Sequence, residues 1–417
     1  MKKTGFVILT FILGSLLYAQ ENLLVIKNAR ILTVTKGVIG KGHILIQNGK
    51  IIDVGRDIKI PNSAQVLDAE GTLITPGLID SHSHLGLGPS GGVTEDNEVS
   101  NPVTPHLRII DSIHPEGVPP HRHSFQHALS EGVTTIIARP GSGNVIGGQS
   151  AALKLLGQTV DDMILAFPCD MKMAMGRKGY GAKGMMPVTK MGVAYLVRQA
   201  MLDAEDYKLA WQKYELEKTK TPEKQPPKRD LKNEAMMKVL NRELPVHIHA
   251  GQVDDIMTAV RLGDEFNFFK LSIGHGNESY KIAGELAKRG VVVVVGPQMI
   301  VFDDEGNLIN LADYLVKHGV EVNIMTDADV VQQEFLRFQA ALAVKYGMDP
   351  QEALKAITIN PAKLIGMDNR IGSIEKGKDA DLVIFDGDPF DIQTRVLKVF
   401  INGKVAFQAE GEKEKVK

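Results

Sequence analysis

The chain of 417 residues contains only one cysteine, Cys169. One cysteine cannot form an intramolecular disulfide, and it cannot build the cysteine clusters of zinc fingers. Any metal ion would therefore have to be held by histidine and carboxylate side chains. The chain also lacks an excess of basic residues, with a formal net charge of −2. Nucleic-acid binding depends on basic surfaces that displace counterions from phosphate, so we expect no nucleic-acid partner.

A long apolar segment of the kind that spans a membrane is missing as well. The N-terminal apolar run extends only from Phe6 to Leu17, after Met1-Lys2-Lys3 and before Tyr18-Ala19-Gln20. This order is typical of a secretory signal peptide, whereas a membrane span needs about 20 apolar residues. We predict a signal peptide at residues 1–19, export to the periplasm or the exterior, and no stable membrane span after cleavage. An uncleaved anchor is the alternative, because Leu17 stands where a small residue is preferred.

Both ends of the mature chain are rich in short apolar strands separated by turns. Asn48-Gly49 and Asn402-Gly403 each interrupt such strands, and Asn-Gly is a strong hairpin signal. Short sheet segments cannot bury a face alone, so the two flanks are expected to combine. We predict one small composite β-sandwich from residues 20–75 and 368–417.

The middle of the chain, residues 76–367, alternates apolar strands with amphipathic helices. Seven strands are predicted at Leu73–Ile79, Thr134–Ala138, Met163–Phe167, Val246–His249, Lys270–Ile273, Val291–Val295 and Val322–Met325, with a weaker eighth near Ala151–Leu155. Near-continuous valine and isoleucine runs suit parallel strands that are buried on both faces. The pattern predicts an α/β fold, a (β/α)8 TIM barrel that forms the catalytic domain, with a doubly wound open sheet as the alternative.

A helical insert is predicted near residues 185–242, with a charged, proline-bearing break at residues 218–229. It would be either a solvated excursion between two barrel units or a lid over the barrel mouth.

Single polar residues stand at the ends of several predicted strands. His82 and His84 follow the first strand and lie two residues apart, so both side chains can point the same way. His249, His275 and Asp327 end later strands. Barrel enzymes place their working groups at these strand ends, and neutral imidazoles suit Zn²⁺ or a similar ion. The alternative for each residue is a buried polar group satisfied by hydrogen bonds.

The sequence resembles the amidohydrolase superfamily, specifically the imidazolonepropionase-like metal-dependent amidohydrolases that include amidases and dipeptidases. The resemblance rests on residues 75–84, Gly132-Val133-Thr134-Thr135, Asn360-Pro361-Ala362 and residues 372–383. It implies the barrel with a composite sandwich and assigns metal roles to His82, His84, His249, His275 and Asp327. By resemblance to binuclear members, Lys172 is the candidate for a carboxylated lysine that bridges two metal ions.

Four further residues are candidates for substrate binding. Arg139 follows the second predicted strand and would pair either with a substrate carboxylate or within a structural ion pair. Asn144 and Gln149 belong to the segment 140–149, which is similar to a loop of the dipeptidase-like branch. His247 shares the strand face of His249 but lies deeper in the strand.

The resemblance and the ligand pattern predict a hydrolase that cleaves an amide or peptide C–N bond by metal-activated hydroxide, with Asp327 moving the proton. One or two Zn²⁺ ions and a small amide or dipeptide substrate are expected, and a homo-oligomer is left open. A cyclic-amide hydrolase or deaminase of the imidazolonepropionase type is the second hypothesis. Gln252 weakens deamination, because deaminases with a similar stretch carry a titratable glutamate there. A non-catalytic binding protein on a decayed scaffold is the third.

Overall fold

The computed structural model describes residues 23–90, 93–115, 124–176, 178, 180–181, 184–221 and 223–411. The predicted signal peptide therefore lies outside the described residues. Among the residues that are described, no helix combines the length and the apolar character that a membrane span requires.

The strands and helices alternate through the middle of the chain, and strands dominate both ends. The strands are β1 (Leu23–Leu32), β2 (Val38–Gln47), β3 (Lys50–Gly55), β4 (Gln65–Asp68), β5 (Leu73–Pro76), β6 (Leu78–Ser83), β7 (Pro89–Ser90), β8 (Val93–Thr94), β9 (Val133–Ala138), β10 (Ile146–Gln149), β11 (Ala151–Lys154), β12 (Ile164–Ala166), β13 (Met171–Ala174), β14 (Val246–Ala250), β15 (Leu271–His275), β16 (Val292–Val295), β17 (Ile300–Phe302), β18 (Leu308–Asn310), β19 (Val322–Ile324), β20 (Leu382–Phe385), β21 (Val396–Ile401) and β22 (Lys404–Gln408). The helices are α1 (Ser124–Ser130), α2 (Val160–Met163), α3 (Lys190–Glu217), α4 (Leu231–Leu240), α5 (Val253–Glu265), α6 (Ala283–Lys288), α7 (Leu311–Lys317), α8 (Leu336–Lys345), α9 (Pro350–Ala356) and α10 (Ile359–Leu364).

Strands from both ends of the chain form one eight-stranded sheet. Its main order is β22-β21-β20-β5-β1-β2-β3, with β4 paired to β1. The ends join where β5 runs antiparallel to β20, with Thr75 opposite Val383. Ile26, Ile44 and Phe400 are buried in a core of their own on this sheet. The flanks therefore share one sheet, as predicted. The described strands of both flanks belong to this one sheet, and the sandwich form stays a prediction.

Both Asn-Gly turns form as the sequence predicts. Asn48 and Gly49 have φ values of +51° and +80°, and Asn402 and Gly403 have values of +50° and +69°. Positive φ at both central residues gives the turn whose twist matches a hairpin. A side chain at Gly49 would come within 2.7 Å of the Asn402 carbonyl oxygen, so the two turns lie against each other.

The middle of the chain forms two sheets that together resemble a barrel. One has the order β12-β11-β9-β6, and the other has the order β10-β13-β14-β15-β16-β19. The parallel strands follow chain order without a reversal, which argues against the doubly wound alternative. At the seam between β6 and β19, Asp327 N donates to His82 O at 3.1 Å and His84 N donates to Ala328 O at 2.8 Å. No strand ladder closes this seam in the described part of the chain.

One predicted barrel strand, β11, runs the wrong way for a (β/α)8 barrel, and β12 runs in the direction of β9 but lies outside the row of parallel strands. The weaker eighth candidate, β11, is antiparallel to β9. The predicted strand at Met163–Phe167 is the short β12, which is antiparallel to β11. The parallel strand at this place is β13, which pairs with β14 and was missed because its four residues include Lys172. A short buried apolar segment carries no information on strand direction, which explains the error.

The predicted helical insert contains α3 and α4. Thr189 and Asp230 cap their N-termini through side-chain oxygens. Val197 and Met201 are buried on α3, and Arg198 on the same helix pairs with Glu265 of α5. The helix packs along α5 on the outside of the sheet, which favours the excursion over the lid. The domain boundaries themselves stay a prediction.

Candidate metal centre

His82 and His84 end the strand β6 with both rings turned to the same side. Every residue of β6 is buried, and backbone atoms of both histidines bond to the segment after β19. The two ring centroids lie 5.1 Å apart in an edge-to-face arrangement. The two-residue period of a strand explains why both rings face the interior of the barrel-like assembly.

Three imidazoles converge on the carboxylate of Asp327. Its Oδ1 lies 3.5 Å from His82 Nε2 and 3.3 Å from His84 Nε2, and its Oδ2 lies 3.8 Å from His275 Nε2. Donor atoms of His82, His84 and Asp327 lie within 4.8 Å of one another. Asp327 and His275 have φ values of +53° and +70°. Such left-handed backbone is strained for residues with a side chain, and this strain clusters at functional sites.

Hydrogen bonds show which ring atoms are free to bind a cation. His84 Nδ1 lies 2.8 Å from the Arg139 carbonyl oxygen. A carbonyl only accepts, so Nδ1 carries the hydrogen and Nε2 keeps its lone pair. That nitrogen and Asp327 Oδ1 are then two electron-pair donors facing each other, an arrangement that a bound cation stabilises. His82 Nε2 is buried without a hydrogen-bond partner. The side chains therefore fit a divalent ion.

Burial keeps His82, His249 and His275 neutral by lowering the pKa of each ring. Burial, followed by the nearby charge of Lys172, lowers the pKa of His82 far below its usual range. Burial and the neighbouring His275 lower the pKa of His249 to about 2. Burial would raise the pKa of Asp327, but the neighbouring His84, His275 and Lys172 favour the ionised carboxylate, and the pKa is lowered. Neutral imidazoles beside an ionised carboxylate are the forms that bind metal ions.

A second group of side chains lies beside the first. His249 and His275 have ring centroids 4.1 Å apart. Lys172 was expected just beyond a predicted strand. In the structure it lies within the strand β13 and is fully buried. Its Nζ donates to Pro140 O at 3.1 Å and to Ser142 Oγ at 3.0 Å. Burial, the leading cause, lowers the pKa of Lys172 to about 7. The five predicted ligands and Lys172 thus lie in one region.

His247 is bonded to His82 and is not among the residues that line the cavity described below, and its role in substrate binding stays a prediction. Its Nε2 lies 3.0 Å from His82 Nδ1, and its Nδ1 lies 2.9 Å from Ser272 Oγ. A side chain at Gly274 would approach His247 Nε2 to 2.7 Å, so the glycine leaves room for this ring. If Ser272 accepts from His247, and His247 accepts from His82, then His82 Nε2 is left unprotonated.

The other three predicted substrate-binding residues also bind the protein itself. The Arg139 guanidinium is fully buried, bonded to Asp170 Oδ2 and to the Ser81 carbonyl oxygen. Asn144 donates to Glu98 O and to Thr104 Oγ1. Gln149 donates to Pro105 O at 3.3 Å. These hydrogen bonds hold loops in place, and none of the three residues lines the cavity described below, so their roles in substrate binding stay predictions.

Sequence reasoning missed Asp80 and Ser142. The buried Asp80 accepts hydrogen bonds from Thr326 Oγ1 at 2.6 Å and from Gln333 Nε2 at 2.5 Å, so it ties β6 to the segment that carries Asp327. Burial raises its pKa to about 6. Its position two residues before His82, on the same strand face, was the available signal. Ser142 Oγ lies 2.9 Å from His249 Nδ1 and accepts from Lys172. The available signal was its place in the segment 140–149, from which only Asn144 and Gln149 were chosen.

A cavity of about 390 Å³ opens beside these side chains. It is lined by His84, Asp96, Gly141, Ser142, His249, Asp327, Asp329 and Val330. Most of the lining residues carry polar side chains, and His84, His249 and Asp327 reach the cavity. A small molecule can approach the cluster by this route.

Comparisons with known proteins identify the family. The Amidohydrolase family matches residues 73–406. Amidohydrolase tasK of Hapsidospora irregularis is 28% identical over 397 residues, which cover 88% of this chain and 40% of that protein. An imidazolonepropionase of Shouchella clausii is 26% identical over 404 residues, which cover 84% of this chain and 80% of that enzyme.

A solved structure agrees with this result. The crystal structure of an amidohydrolase from Thermotoga maritima superposes with a TM-score of 0.83 at 37% identity, covering 93% of this chain and all of that one. The family match and this structure indicate a TIM-barrel-like α/β fold for the chain. The chain spans only 40% of the length of tasK. It belongs to the Amidohydrolase family, as an imidazolonepropionase-like, metal-dependent hydrolase of C–N bonds.

Proposed function

We propose that the protein is a zinc-dependent amidase or dipeptidase. The observation that carries this proposal is the convergence of His82, His84 and His275 on Asp327, beside a cavity that admits a small molecule. The ligand set of imidazoles and one carboxylate is typical of catalytic zinc sites. The family membership restricts the reaction to C–N bonds, and the proposal adds the metal and the linear amide.

Two groups of side chains would hold the metal. One ion would be held by His82, His84 and Asp327. A second ion would be held by His249 and His275, and a carboxylated Lys172 would bridge the two ions. An ammonium has no electron pair to donate, so Lys172 needs to be carboxylated to act as a ligand. Its burial and its lowered pKa favour the neutral amine, which is the form that reacts with CO₂. Ions bound in this way supply Lewis acidity to the attacking water and to the scissile carbonyl.

Asp327 is the residue suited to moving the proton. Its carboxylate lies at the cavity wall and is ionised, so it can accept the proton of the attacking water at Oδ. The same oxygen can then donate that proton to the leaving nitrogen, which departs as a neutral amine. His84 Nε2 lies 3.3 Å from Asp327 Oδ1, so the two atoms would hold the same ion. Asp80 keeps the segment that carries Asp327 against β6.

Hydrolysis of a cyclic amide is the second candidate, and the imidazolonepropionase relative favours it. Deamination is weaker, since Gln252 cannot titrate and its amide oxygen accepts from Lys190 Nζ at 2.8 Å. A non-catalytic protein on a decayed scaffold would require a damaged ligand set, and the candidate ligands here all lie together.

The test is a substrate panel on zinc-loaded protein. Dipeptides and N-acyl amino acids represent linear amides, imidazolones and lactams represent ring amides, and aminopurines represent deamination. Release of a primary amine from the linear amides supports the proposal. Ring opening without cleavage of linear amides would replace it with the second candidate, and ammonia release alone would indicate a deaminase. Absence of bound metal together with inactivity would favour the non-catalytic protein.

We also propose that the protein is exported. The basic start Met1-Lys2-Lys3 and the apolar run from Phe6 to Leu17 support this proposal. Cell fractionation with N-terminal sequencing tests it: the expected mature chain begins near Gln20 and is found outside the cytoplasm. A chain that retains Met1 in the cytoplasmic fraction would contradict export.

A further inference from the structure

The outward face of α3 carries a row of large apolar side chains that are exposed. Leu202, Leu209 and Leu216 are 48%, 60% and 76% exposed, and Tyr195, seven residues before Leu202, is 49% exposed. Single exposed apolar side chains are ordinary on protein surfaces. Residues seven apart on a helix, however, differ in direction by only about 20°, so these side chains stand in one line. The three leucines are called the leucine stripe below.

The leucine stripe takes no part in the packing of α3 against its own chain. The opposite face of the helix is buried through Val197, Met201 and Ala204, and Arg198 joins the helix to α5 through its ion pair with Glu265. The stripe is about 21 Å long, since each residue of a helix rises by 1.5 Å. Apolar side chains that repeat every seven residues are typical of helices that pair with other helices. The stripe therefore fits a second helix.

Two charged side chains beside the stripe indicate how such a helix would be oriented. Asp206 and Lys213 each stand four residues after one of the leucines, so they form a row alongside the stripe. Both are exposed, and no ion pair within the described ranges includes either of them. Glu217, a carboxylate on which the charge of Lys213 acts, forms its ion pair with Lys224. The row thus presents one negative and one positive charge to a neighbouring helix.

We propose that the leucine stripe binds the same stripe of a second copy of this chain, with the two α3 helices antiparallel about a two-fold axis at Leu209. Leu202 then packs against Leu216 of the second copy, and Asp206 lies beside Lys213 of the second copy. The two-fold axis produces each of these contacts twice. Unlike charges along a helix pair determine its partner and orientation. This inference concerns assembly and does not rest on the proposed function.

Other alignments of the two helices are less favourable. A parallel pair would place Glu205 of one copy beside Asp206 of the other, because these residues lie on opposite sides of the stripe. An antiparallel pair centred between Leu202 and Leu209 would place Asp206 beside Asp206 of the second copy. Like charges at such positions are destabilising. An axis at Leu202 would leave Leu216 beyond the first residue of the other helix. The charges and the helix length therefore favour the axis at Leu209.

Sedimentation velocity of the purified protein over a range of concentrations tests the dimer. A contact along one helix is smaller than the interface of a stable complex, so we expect a dissociation constant of about 1–100 µM. Leu209→Glu should remain monomeric, because it would place two carboxylates against each other at the axis. Ile392→Glu is the matched control. Ile392 is 74% exposed between β20 and β21, and its substitution should leave the dimer unchanged.

The charge variants Asp206→Lys and Lys213→Asp test the orientation. Each variant alone places like charges beside each other at two positions, so each should dimerise about 10-fold more weakly than wild type. An equimolar mixture of the two variants should dimerise as tightly as wild type, because every facing pair is then unlike. No such recovery is expected from a parallel pair or from an axis between Leu202 and Leu209.

Wild type that stays monomeric over this range would overturn the inference, as would a dimer that survives Leu209→Glu. A mixture of the charge variants that dimerises no better than either variant alone would overturn the antiparallel arrangement. Monomeric wild type that sediments with vesicles of anionic phospholipid would assign the leucine stripe to a membrane surface instead. None of these results depends on hydrolysis or on bound metal.

Discussion

Asp327→Asn is the substitution that separates proton transfer from the assembly of the site. The two side chains have the same shape, so the carboxamide can occupy the place of the carboxylate between His82 and His84. Those contacts are 3.5 and 3.3 Å long in the structure. An amide cannot take up a proton from water at neutral pH and pass it to the leaving nitrogen. The variant therefore removes the proton carrier while the histidines stay in place.

The expected loss follows from the role of Asp327. A positioned general acid–base group contributes about 10²- to 10⁴-fold, which corresponds to roughly 2.7–5.4 kcal/mol of activation free energy. We expect kcat to fall by this factor on whichever amide wild type hydrolyses, with KM changed much less. The zinc content should stay above half of the wild-type value, because the imidazoles remain. Atomic emission on the same preparation measures the zinc.

Asp329→Asn is the matched control. Asp329 lines the same cavity and is exposed, and no ion pair of the described residues joins it to a histidine. Its substitution should change kcat by less than about 3-fold, since surface changes of this kind are within about 0.5 kcal/mol. An Asp327→Asn enzyme that keeps its zinc and turns over within 10-fold of wild type would refute the role that we give Asp327.

Three further predictions concern the stability of the fold and the hydrogen-bond partner of His249. Lys154→Met should destabilise the protein by about 3–5 kcal/mol in denaturant titrations, because Lys154 is the buried partner of Asp379 and Asp381 at 2.8 and 2.7 Å. The control Lys317→Met removes one partner of an ion pair at the surface and should cost under about 0.5 kcal/mol. Equal losses of unfolding free energy in the two variants would contradict a special role for the buried ion pair. Ser142→Ala should weaken zinc binding about 10- to 100-fold in chelator competition, with Ser142→Thr close to wild type; unaltered affinity in the alanine variant would contradict this. Burial would raise the pKa of Glu375, but hydrogen bonds from Thr35 and Ser373 outweigh it and lower the pKa to about 2. Its contribution is therefore present above pH 4.5 and lost as pH falls toward 2, and Glu375→Gln should flatten this part of the stability profile.

The sequence predicted the residues of the centre because they obey simple rules. His82 and His84 lie two apart on a buried strand, and His249, His275 and Asp327 end strands that converge in the structure. Lys172 was found by resemblance, although it lies within a strand and not after one. These positions depend on strand period and on parallel strand order, which the pattern of apolar residues carries.

The remaining assignments depended on contacts that a pattern does not contain. Arg139, Asn144 and Gln149 have the chemistry of substrate-binding groups, but their partners are Asp170, Thr104 and a backbone carbonyl. A polar side chain in a loop can face a cavity or another loop, and only the packed structure decides between them. The direction of β11 was missed for a similar reason, since alternation and burial do not encode the direction of a strand.

Zinc content per chain, compared between wild type and Lys172→Ala, tests the metal centre most directly. Both proteins are purified from cells supplied with zinc and bicarbonate and are measured by atomic emission. A binuclear centre bridged by carboxylated Lys172 predicts about two ions per chain in wild type and about one or fewer in the variant. Wild type without bound zinc would contradict the metal centre, and an unchanged content in Lys172→Ala would contradict the bridge.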